Sequence, residues 1–298
     1  MAAEHKRWAA ELIMKAVLLV LLFLAADVRA RQFAGETPPQ DIDGWVESSS
    51  PDDWPHPLTM CANHGFGGEW QVALVDGRVT IREYEPGVVS ASPLPEAAYA
   101  DLGEGARGAR SYLPVEDGYL VGFNAGEWGG SVWWLSTDGS SHYRLGESSV
   151  AGGNPVSFFR VGEEALLVSG LAHLSFRVGS IKHIGRRDGQ WRIIREVPLG
   201  TAAEVAIEHP ALGIVVIASD GILSYRDGQL TTLTEVGLGS LYPNSIALAP
   251  DGSVYVGMRY AVARLNRTSD TVQVAWFVPP TCRTLARSAG SPQCYCKP

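Results

Sequence analysis

The sequence predicts an all-β fold, specifically a β-propeller of five blades with four antiparallel strands each, although six blades stay possible. Three observations lead to this prediction. From Leu58 onward, short apolar runs are separated by turn signals, and no convincing amphipathic helix interrupts them. The dipeptide Asp-Gly occurs eight times, and between apolar runs it is the strongest short-range signal for a β-hairpin. The whole pattern then recurs at a length typical of one blade.

The repeat becomes visible when the copies are aligned on their hairpin turns, at positions 76, 138, 188, 227 and 270. Gly67–Gly77 matches Gly129–Gly139 without a gap, and an insert rich in Pro and Gly, Glu85–Arg110, lengthens the first repeat. Each hairpin contains two apolar runs. A third run precedes each hairpin, and in most copies a fourth run precedes the third. Four strands in about 40–50 residues is the size of a propeller blade. A β-sandwich is the alternative, but it gives no reason for recurrence at this length.

The first thirty residues have the order of a secretory signal peptide. The basic residues His5–Arg7 and Lys15 come first, the apolar run Ala16–Ala26 follows, and Val28–Ala30 ends in a small residue. We therefore expect a secreted or periplasmic protein, with translation starting at Met1 or Met14. An uncleaved membrane anchor is the alternative, but this apolar run is shorter than the roughly 20 residues of a spanning helix.

After the signal, we expect the chain to divide into three parts. Residues 31–57, rich in Pro, Asp and Ser, have the composition of a leader or linker. Residues 58–281 would form the propeller, and residues 282–298 a cysteine-containing tail. Residues 1–30 hold four Lys or Arg and three Asp or Glu, so their removal changes the net charge from −8 to −9. This acidic balance disfavours nucleic acid and anionic membrane surfaces as partners, because both select basic patches.

Four cysteines follow the signal segment, namely Cys61, Cys282, Cys294 and Cys296. An even number in an exported chain favours disulfides, but four cysteines allow three pairings and the sequence does not choose among them. A zinc site at Cys294 and Cys296 is the alternative. It fits less well, because structural zinc ligands are usually separated by two to four residues and this pair by one. We predict no cofactor.

One segment resembles a known family of repeats. Tyr242–Gly257 carries Ala-Pro-Asp-Gly-Ser-Val-Tyr-Val-Gly at its end and is similar to a blade of NHL-type or regulator-type propellers. Val115–Gly122, with Asp117-Gly118 followed by Tyr119, is a second and poorer copy. The resemblance implies a circular propeller. Because these families include both binding proteins and enzymes, it does not imply an activity.

A propeller gathers distant loops, because the connections between the second and third strands of all blades lie on one face. We expect these connections at Asn63–Gly68, Asn124–Gly130, Gly170–Gly179, Ser219-Asp220 and Met258–Tyr260. Loops on a rigid scaffold concentrate binding residues, although solvation alone also explains polar residues there. The side chains predicted to form a ligand-binding mouth are Asn63, His64, Asn124, Glu127, Trp128, His173, Arg177, Asp220, Arg259 and Tyr260.

The predicted function is therefore that of a binding module for a small molecule, a glycan or another protein. Trp128 is flanked by Gly126, Gly129 and Gly130, which makes it the best candidate for an exposed aromatic platform that stacks on a sugar ring. No catalytic motif of the common hydrolase, metalloprotease or phosphate-binding kinds is present in the sequence.

Two other functions stay open. A propeller-type hydrolase or lyase would use Glu127 or Asp220 as acid or base, assisted by His64 or His173, because such glycosidases work with paired carboxylates. A structural role in an envelope assembly would instead require a large apolar patch on the outer blade edges.

Overall fold

The fold was analysed in a computed structural model. It describes residues 40–48, 68–85, 92–103, 105–146, 153–174, 176–267, 272–280, 284–287 and 294–297. These residues form 21 strands joined by turns and short 3-10 helices, and no α-helix occurs among them. The predicted all-β class is confirmed. Within the same residues, no helix has the length and hydropathy that a membrane crossing requires.

The strands fall into antiparallel sheets whose order follows the chain. The first three are β1 (Val46–Ser48), β2 (Trp70–Val75) and β3 (Arg78–Glu83), of which β2 and β3 form sheet I. Sheet II holds β4 (Ala109–Val115), β5 (Gly118–Asn124), β6 (Gly130–Ser136) and β7 (His142–Arg144). Sheet III holds β8 (Asn154–Val161), β9 (Glu164–His173), β10 (Phe176–Arg187) and β11 (Gln190–Pro198).

Two further sheets complete the propeller, and a separate hairpin follows them. Sheet IV holds β12 (Ala203–His209), β13 (Gly213–Ala218), β14 (Gly221–Arg226) and β15 (Gln229–Glu235). Sheet V holds β16 (Ser245–Leu248), β17 (Val254–Gly257), β18 (Val262–Arg267), β19 (Val272–Val278) and, at its edge, β1. The hairpin consists of β20 (Thr284–Arg287) and β21 (Cys294–Lys297). The 3-10 helices are Ile42–Gly44, Glu96–Leu102, Gly126–Trp128 and Gly239–Leu241.

Burial along the strands follows their place in each sheet. The inner strands are apolar on both faces, as in β14, where the five residues Gly221–Tyr225 are all buried. The outer strand β15 exposes residues along its length and includes three threonines. Strands covered on both faces read as continuous apolar runs, whereas strands with one solvated face alternate. The apolar runs in the sequence therefore correspond to strands that lie between neighbouring blades.

Apolar clusters join four pairs of neighbouring sheets among the described residues. Leu120 and Leu167 meet between sheets II and III, and further clusters join III to IV and IV to V. Trp70 of sheet I packs with Tyr255 of sheet V, so sheets II to V pack in chain order and sheet V also contacts sheet I. Repeated sheets packed face to face in this way form a β-propeller. Four sheets with four or more strands and one hairpin are consistent with the five blades predicted.

The first strand of a sheet lies almost against the backbone of the preceding sheet. A Cβ atom built at Gly170 of sheet III would lie 2.1 Å from the Ala203 carbonyl oxygen, so only glycine fits there. Gly257 of sheet V meets the Trp70 carbonyl oxygen in the same way, at 2.4 Å. The strand β2 therefore takes the position of a first strand.

This position of β2 differs from the sequence alignment, which placed Gly67–Gly77 at the third strand and its turn. The reason is physical: both hairpins of a blade have similar strand lengths and tight turns. A gap-free match cannot distinguish between them, whereas packing against sheet V does.

The segment 40–48 joins sheet V to sheet I, although it lies within the stretch expected to be a leader. Val46–Ser48 pairs with Trp276–Val278 at the edge of sheet V. At the other end, the Gln40 carbonyl accepts a hydrogen bond from the Ile81 amide at 2.8 Å. Between them, the buried Trp45 ring packs edge-on against Trp70, with 5.1 Å between ring centroids. We name residues 40–48 the clasp.

The cysteine predictions are not tested by these residues. Cys61 and Cys282 lie outside the described residues, whereas Cys294 and Cys296 belong to β21, opposite Arg287 and Leu285 of β20. The disulfide pairing stays a prediction.

A single carboxylate connects sheets II and III. Asp117, in the Asp-Gly turn before β5, accepts hydrogen bonds through Oδ1 from the indole N–H groups of Trp134 at 3.0 Å and Trp191 at 2.9 Å. Its Oδ2 lies 3.1 Å from Arg186 Nη1. Burial alone would raise the pKa of Asp117, but the two indole donors and Arg186 outweigh it and hold the pKa below its ordinary value.

We expect Asp117→Ala to destabilise the fold by about 2 kcal/mol, because two indole donors and Arg186 lose a charged acceptor. Urea unfolding at neutral pH measures this loss. The neighbouring Glu116 is a matched control, since it is 66% exposed and its ion pair among the described residues is with Arg186. Glu116→Ala should cost less than about 1 kcal/mol. Equal effects of both substitutions would contradict a bridging role for Asp117.

The Asp117 contribution should also depend on pH with a defined sign. Because the folded-state pKa lies below the ordinary value of 3.8, the stabilisation is fully present above that value. It is lost as the pH falls through the lower folded-state pKa. The difference between wild type and Asp117→Ala should thus be constant above about pH 5 and shrink below it.

We expect Trp45→Ala to destabilise the protein by about 3–5 kcal/mol, because it leaves a cavity where the clasp packs on Trp70. Thermal or urea unfolding measures the change. The adjacent Val46 is 40% exposed, so Val46→Ala should change stability by about 0.5 kcal/mol or less. A Trp45→Ala variant as stable as the wild type would show that the clasp adds nothing to the propeller.

Candidate functional site

One face of the propeller carries the connections from second to third strands. In sheets II to V these are residues 125–129, 174–175, 219–220 and 258–261. The first strand of a sheet begins at this same end. Its first residue pairs with a residue near the end of the second strand, as Asn154 of β8 does with Gly170 of β9 and Ser245 of β16 with Gly257 of β17. We call this end the upper face. Four of the five connections that the sequence predicted to be equivalent therefore lie at equivalent places. The fifth, Asn63–Gly68, lies almost entirely outside the described residues, and it precedes β2, which takes the position of a first strand.

The connection of sheet II forms a rigid turn that projects Trp128. Residues Gly126–Trp128 make a 3-10 helix, the Ala125 amide donates to the Gly129 carbonyl at 2.9 Å, and Gly129 has a φ of 93°. The Trp128 side chain is 76% exposed. An exposed aromatic residue at this position agrees with the expectation drawn from the flanking glycines.

Asn124 supports this turn through its side-chain amide. Its Oδ1 accepts hydrogen bonds from the Gly126 amide at 3.0 Å and from Asn154 Nδ2 at 3.0 Å, and its Nδ2 donates to the Pro155 carbonyl at 3.2 Å. Asn154, which is 1% exposed, also donates to the Gly126 carbonyl at 2.7 Å. The two amides fasten the turn to sheet III, so Asn124 has a structural role here, and its predicted binding role stays a prediction.

Glu127 and His173 connect the turn to the neighbouring loop. Glu127 Oε2 lies 3.4 Å from His173 Nδ1, and both side chains are nearly half exposed. The loop of sheet III continues with two exposed apolar side chains, Leu174 at 90% and Phe176 at 42% exposure. Sequence reasoning selected the polar pair but missed the apolar residues beside it.

A half-buried carboxyl group lies where sheets III and IV meet. Glu204 stands at a register shift near the start of β12 and accepts a hydrogen bond from Ser219 Oγ at 2.7 Å. Burial raises the pKa of Glu204, while Ser219 and the charge of Arg177 oppose the rise. Glu204 was not among the predicted residues, because an acid inside a strand gives no sequence signal. Asp220 is exposed, and its carbonyl accepts from the Val236 amide.

Sheets V and I meet through a polar cluster around Glu69. Arg259 Nε lies 3.4 Å from Glu69 Oε2, and Asn244 Nδ2 donates to Glu69 Oε1 at 3.1 Å. The Arg259 guanidinium also stacks over the ring of Tyr242, at 3.8 Å from its centroid. Arg259 therefore joins two sheets at the upper face, and Tyr242, which is 45% exposed, offers the aromatic surface in this place.

Tyr260 does not contribute to this surface. It is only 4% exposed and packs in the apolar core between sheets IV and V, while its amide donates to the Gly68 carbonyl. This position does not agree with the expectation that Tyr260 lines the mouth, because its ring packs in the core. Asn63 and His64 lie outside the described residues, so their predicted role is not tested.

A cleft opens beside Trp128 at sheet II. It has a volume of about 250 Å³. Two arginines, Arg107 and Arg144, contribute to it, and neither was predicted. Arg107 lies in the long insert and Arg144 in the outer strand β7, so only the folded chain brings them together. The residues that form the cleft are Gly105, Arg107, Ala125, Trp128, Gly129, Gly130 and Arg144.

Metal binding finds no support in the described part of the chain. No cluster of three or more His, Cys, Asp or Glu side chains with suitable geometry occurs there. The predicted acids Glu127 and Asp220 belong to sheets II and IV, and neither a hydrogen bond nor an ion pair joins them among the described residues.

Comparison with known proteins shows similarity at the level of the fold. No family model and no curated protein sequence matches the chain. A structure of YCF48 bound to a D1 peptide is 12% identical, with a TM-score of 0.39 over 85% of this chain and 78% of its own. A putative 6-phosphogluconolactonase from Bacteroides uniformis is 14% identical, with a TM-score of 0.37 over 73% and 66%. A Trypanosoma rangeli sialidase is 12% identical, with a TM-score of 0.29 over 71% and 38%. Similarities this distant concern the fold alone.

Proposed function

We propose that the protein is an exported binding module that holds a small ring-shaped ligand, such as a sugar unit, on Trp128 at the upper face. One observation carries this proposal: an indole ring that is 76% exposed stands beside a cleft of about 250 Å³. Single exposed apolar residues are common on protein surfaces, but a large aromatic ring at the rim of a concave site is typical of ligand recognition.

The turn that carries Trp128 is prepared for binding before a ligand arrives. Its backbone is closed by the hydrogen bond from Ala125 to Gly129, and the side chains of Asn124 and Asn154 hold it against sheet III. A rigid platform loses little conformational entropy on binding, so more of the stacking energy appears as affinity. Aromatic side chains supply large contact areas of this kind.

The hydrolase alternative would require a second carboxyl group near Glu127. A glycosidase needs two carboxyl groups within about 10 Å across the scissile bond. Glu127 does have His173 beside it at 3.4 Å, as the hydrolase alternative requires. No hydrogen bond or ion pair among the described residues brings Asp220 or another carboxyl group to this pair, however.

Docking of a protein partner is the second candidate function, and the exposed Leu174 and Phe176 favour it. They lie in the loop that Glu127 and His173 connect to the Trp128 turn. Aromatic and aliphatic side chains grouped in this way are common in the central part of protein interfaces.

We expect Trp128→Ala to weaken sugar binding at least about tenfold, which corresponds to about 1.4 kcal/mol, while Trp128→Phe keeps most of the affinity. A glycan array would identify a ligand, and isothermal titration calorimetry would then compare the variants. Since Trp128 is exposed, thermal unfolding of all variants should match the wild type.

Leu174→Ser is the matched control for this test. It removes an exposed apolar side chain from the neighbouring loop, and sugar affinity should not change. If Leu174→Ser abolished binding of the ligand and Trp128→Ala had no effect, the docking surface of sheet III would replace the Trp128 platform as the site.

Export is the part of the proposal that rests on residues 1–30. Their basic start, apolar run and small residue at position 30 support cleavage by a signal peptidase. Expressed in a host with a periplasm, the protein should appear there, and mass spectrometry should find a mature start close to Arg31. Retention of the apolar run in a membrane fraction would instead support an anchor.

A further inference from the structure

We propose that His183 forms a pH-sensitive latch between sheets III and IV, which holds Arg195 while the imidazole is neutral and releases it when the imidazole gains a proton. The latch consists of Glu164, His183, Arg195 and Tyr225. It lies at the end of the propeller opposite the upper face, beside the turn between β14 and β15. It is therefore separate from the Trp128 site, and its test needs no ligand.

The imidazole of His183 is buried, and both of its ring nitrogens have partners. Nδ1 lies 2.8 Å from Glu164 Oε2. Nε2 lies 2.7 Å from the Tyr225 hydroxyl and 2.6 Å from Arg195 Nη2. The ring also packs edge-on against Tyr225, with 5.8 Å between centroids. One imidazole thus contacts a carboxylate, a phenol and a guanidinium from three other strands.

The contact with Arg195 determines where the imidazole carries its proton. A guanidinium nitrogen only donates hydrogen bonds, so Nε2 accepts one from Arg195 Nη2 and carries no proton itself. In a neutral imidazole the proton is then on Nδ1, which donates to the Glu164 carboxylate. The geometry thus fixes both the charge and the tautomer of the ring.

Arg195 connects the outer strand of sheet III with sheet IV. It pairs with His183 across β11 and β10, next to a shift in the register of these strands, and the residue is exposed. Its Nη2 donates to the Tyr225 hydroxyl of β14 at 2.7 Å. A Cβ atom built at Gly228, in the turn after β14, would lie 3.9 Å from the same nitrogen. The guanidinium therefore touches sheet IV at two places.

A proton on Nε2 of His183 would turn this acceptor into a donor. Two N–H groups and two positive charges would then face each other across 2.6 Å, and like charges at this distance repel. Arg195 is exposed, so its guanidinium can move into water. Nε2 then donates to the Tyr225 hydroxyl, and the Glu164 carboxylate stabilises the imidazolium. Both forms of the ring have partners, but only the neutral form holds Arg195.

Among the described residues, the charged groups in contact with this ring are Glu164 and Arg195. The charged residues nearby are Lys182, Glu196, Glu208, Arg226 and Asp227. The first two pair with each other at 4.0 Å and lie on the other face of sheet III, because side chains alternate along a strand. The last two also pair with each other, at 3.4 Å, and Glu208 is exposed on β12. The carboxylate favours the charged ring, and the guanidinium opposes it.

An NMR titration of the mature protein, labelled with ¹⁵N, follows the His183 ring directly. At about pH 8 its proton should be on Nδ1. Arg195→Gln should move the midpoint of the titration to higher pH by about 1 pH unit, because a positive charge beside Nε2 is lost. Glu164→Gln should move it by a similar amount to lower pH, because a carboxylate beside Nδ1 is lost. Residues that only pack against the ring would not give shifts of opposite sign.

Urea unfolding measures what the latch adds to stability. The contact with Arg195 exists when the ring is neutral, so its contribution is present at high pH and is lost as the pH falls. Arg195→Gln should therefore lower the urea midpoint at about pH 8, and this loss should shrink by at least about half at about pH 5. In a His183→Gln background, the loss caused by Arg195→Gln should be the same at both pH values.

Arg192→Gln is the matched control, because Arg192 is exposed on the same strand and contacts Gln190. Its effect on the urea midpoint should not depend on pH. Wild-type stability alone does not test the latch, because His209 also accepts through Nδ1, from the amides of Ala211 and Leu212. Acid therefore affects that ring as well, and the comparison between variants removes its contribution.

Three results would overturn the inference: a proton on Nε2 of His183 at about pH 8, a titration midpoint that does not rise in Arg195→Gln, or an equal loss of stability from Arg195→Gln at both pH values. If His183→Gln fails to fold, the NMR titrations of the wild type and Arg195→Gln decide the question without it.

Discussion

Burial of both faces of the inner strands is the constraint on which this structure depends. A sheet such as β12–β15 cannot leave β13 and β14 exposed, because nearly every side chain in them is apolar. Each sheet therefore needs a neighbour on either side, and packing such sheets in series gives the propeller. The tight approach at Gly170 and Gly257 lets first strands lie against the preceding sheet. Polar contacts such as that of Asp117 then connect sheets whose packing is already determined.

The same constraint explains why the possible binding residues are at one end. Side chains at interior positions pack against neighbouring sheets, so the polar side chains that are accessible to a ligand lie in the turns between strands. Even there, many are used between sheets: Asn124 fastens a turn, and Arg259 pairs with Glu69. Trp128 differs from these residues, because its indole ring faces solvent. The distinction depends on contacts and not on residue type.

Much of the fold could be predicted from the sequence, because its signals are local. Asp-Gly turns and apolar runs located most hairpins, including those at Asp138 and Asp227. The place of the β2–β3 hairpin could not be found in this way, since it depends on contacts with sheet V. Less of the candidate site could be predicted. Loop topology placed Trp128, Glu127 and His173 at the upper face, but Tyr260 lies in the core, and Arg107 and Arg144 of the cleft come from separate segments that carry no shared motif.

The clasp has a consequence for the order in which the protein acquires its structure. Val46 pairs with Val278, so the two partners of this contact are separated by most of the polypeptide. During synthesis, the segment around Val46 leaves the ribosome long before the segment around Val278 has been translated. During that interval the edge of the hairpin β2–β3 and the apolar face of Trp70 lack their final cover, a condition that favours association between chains. Pairing over such a separation is slow, and a cell that makes this protein in quantity would benefit from a chaperone that shields the early segment.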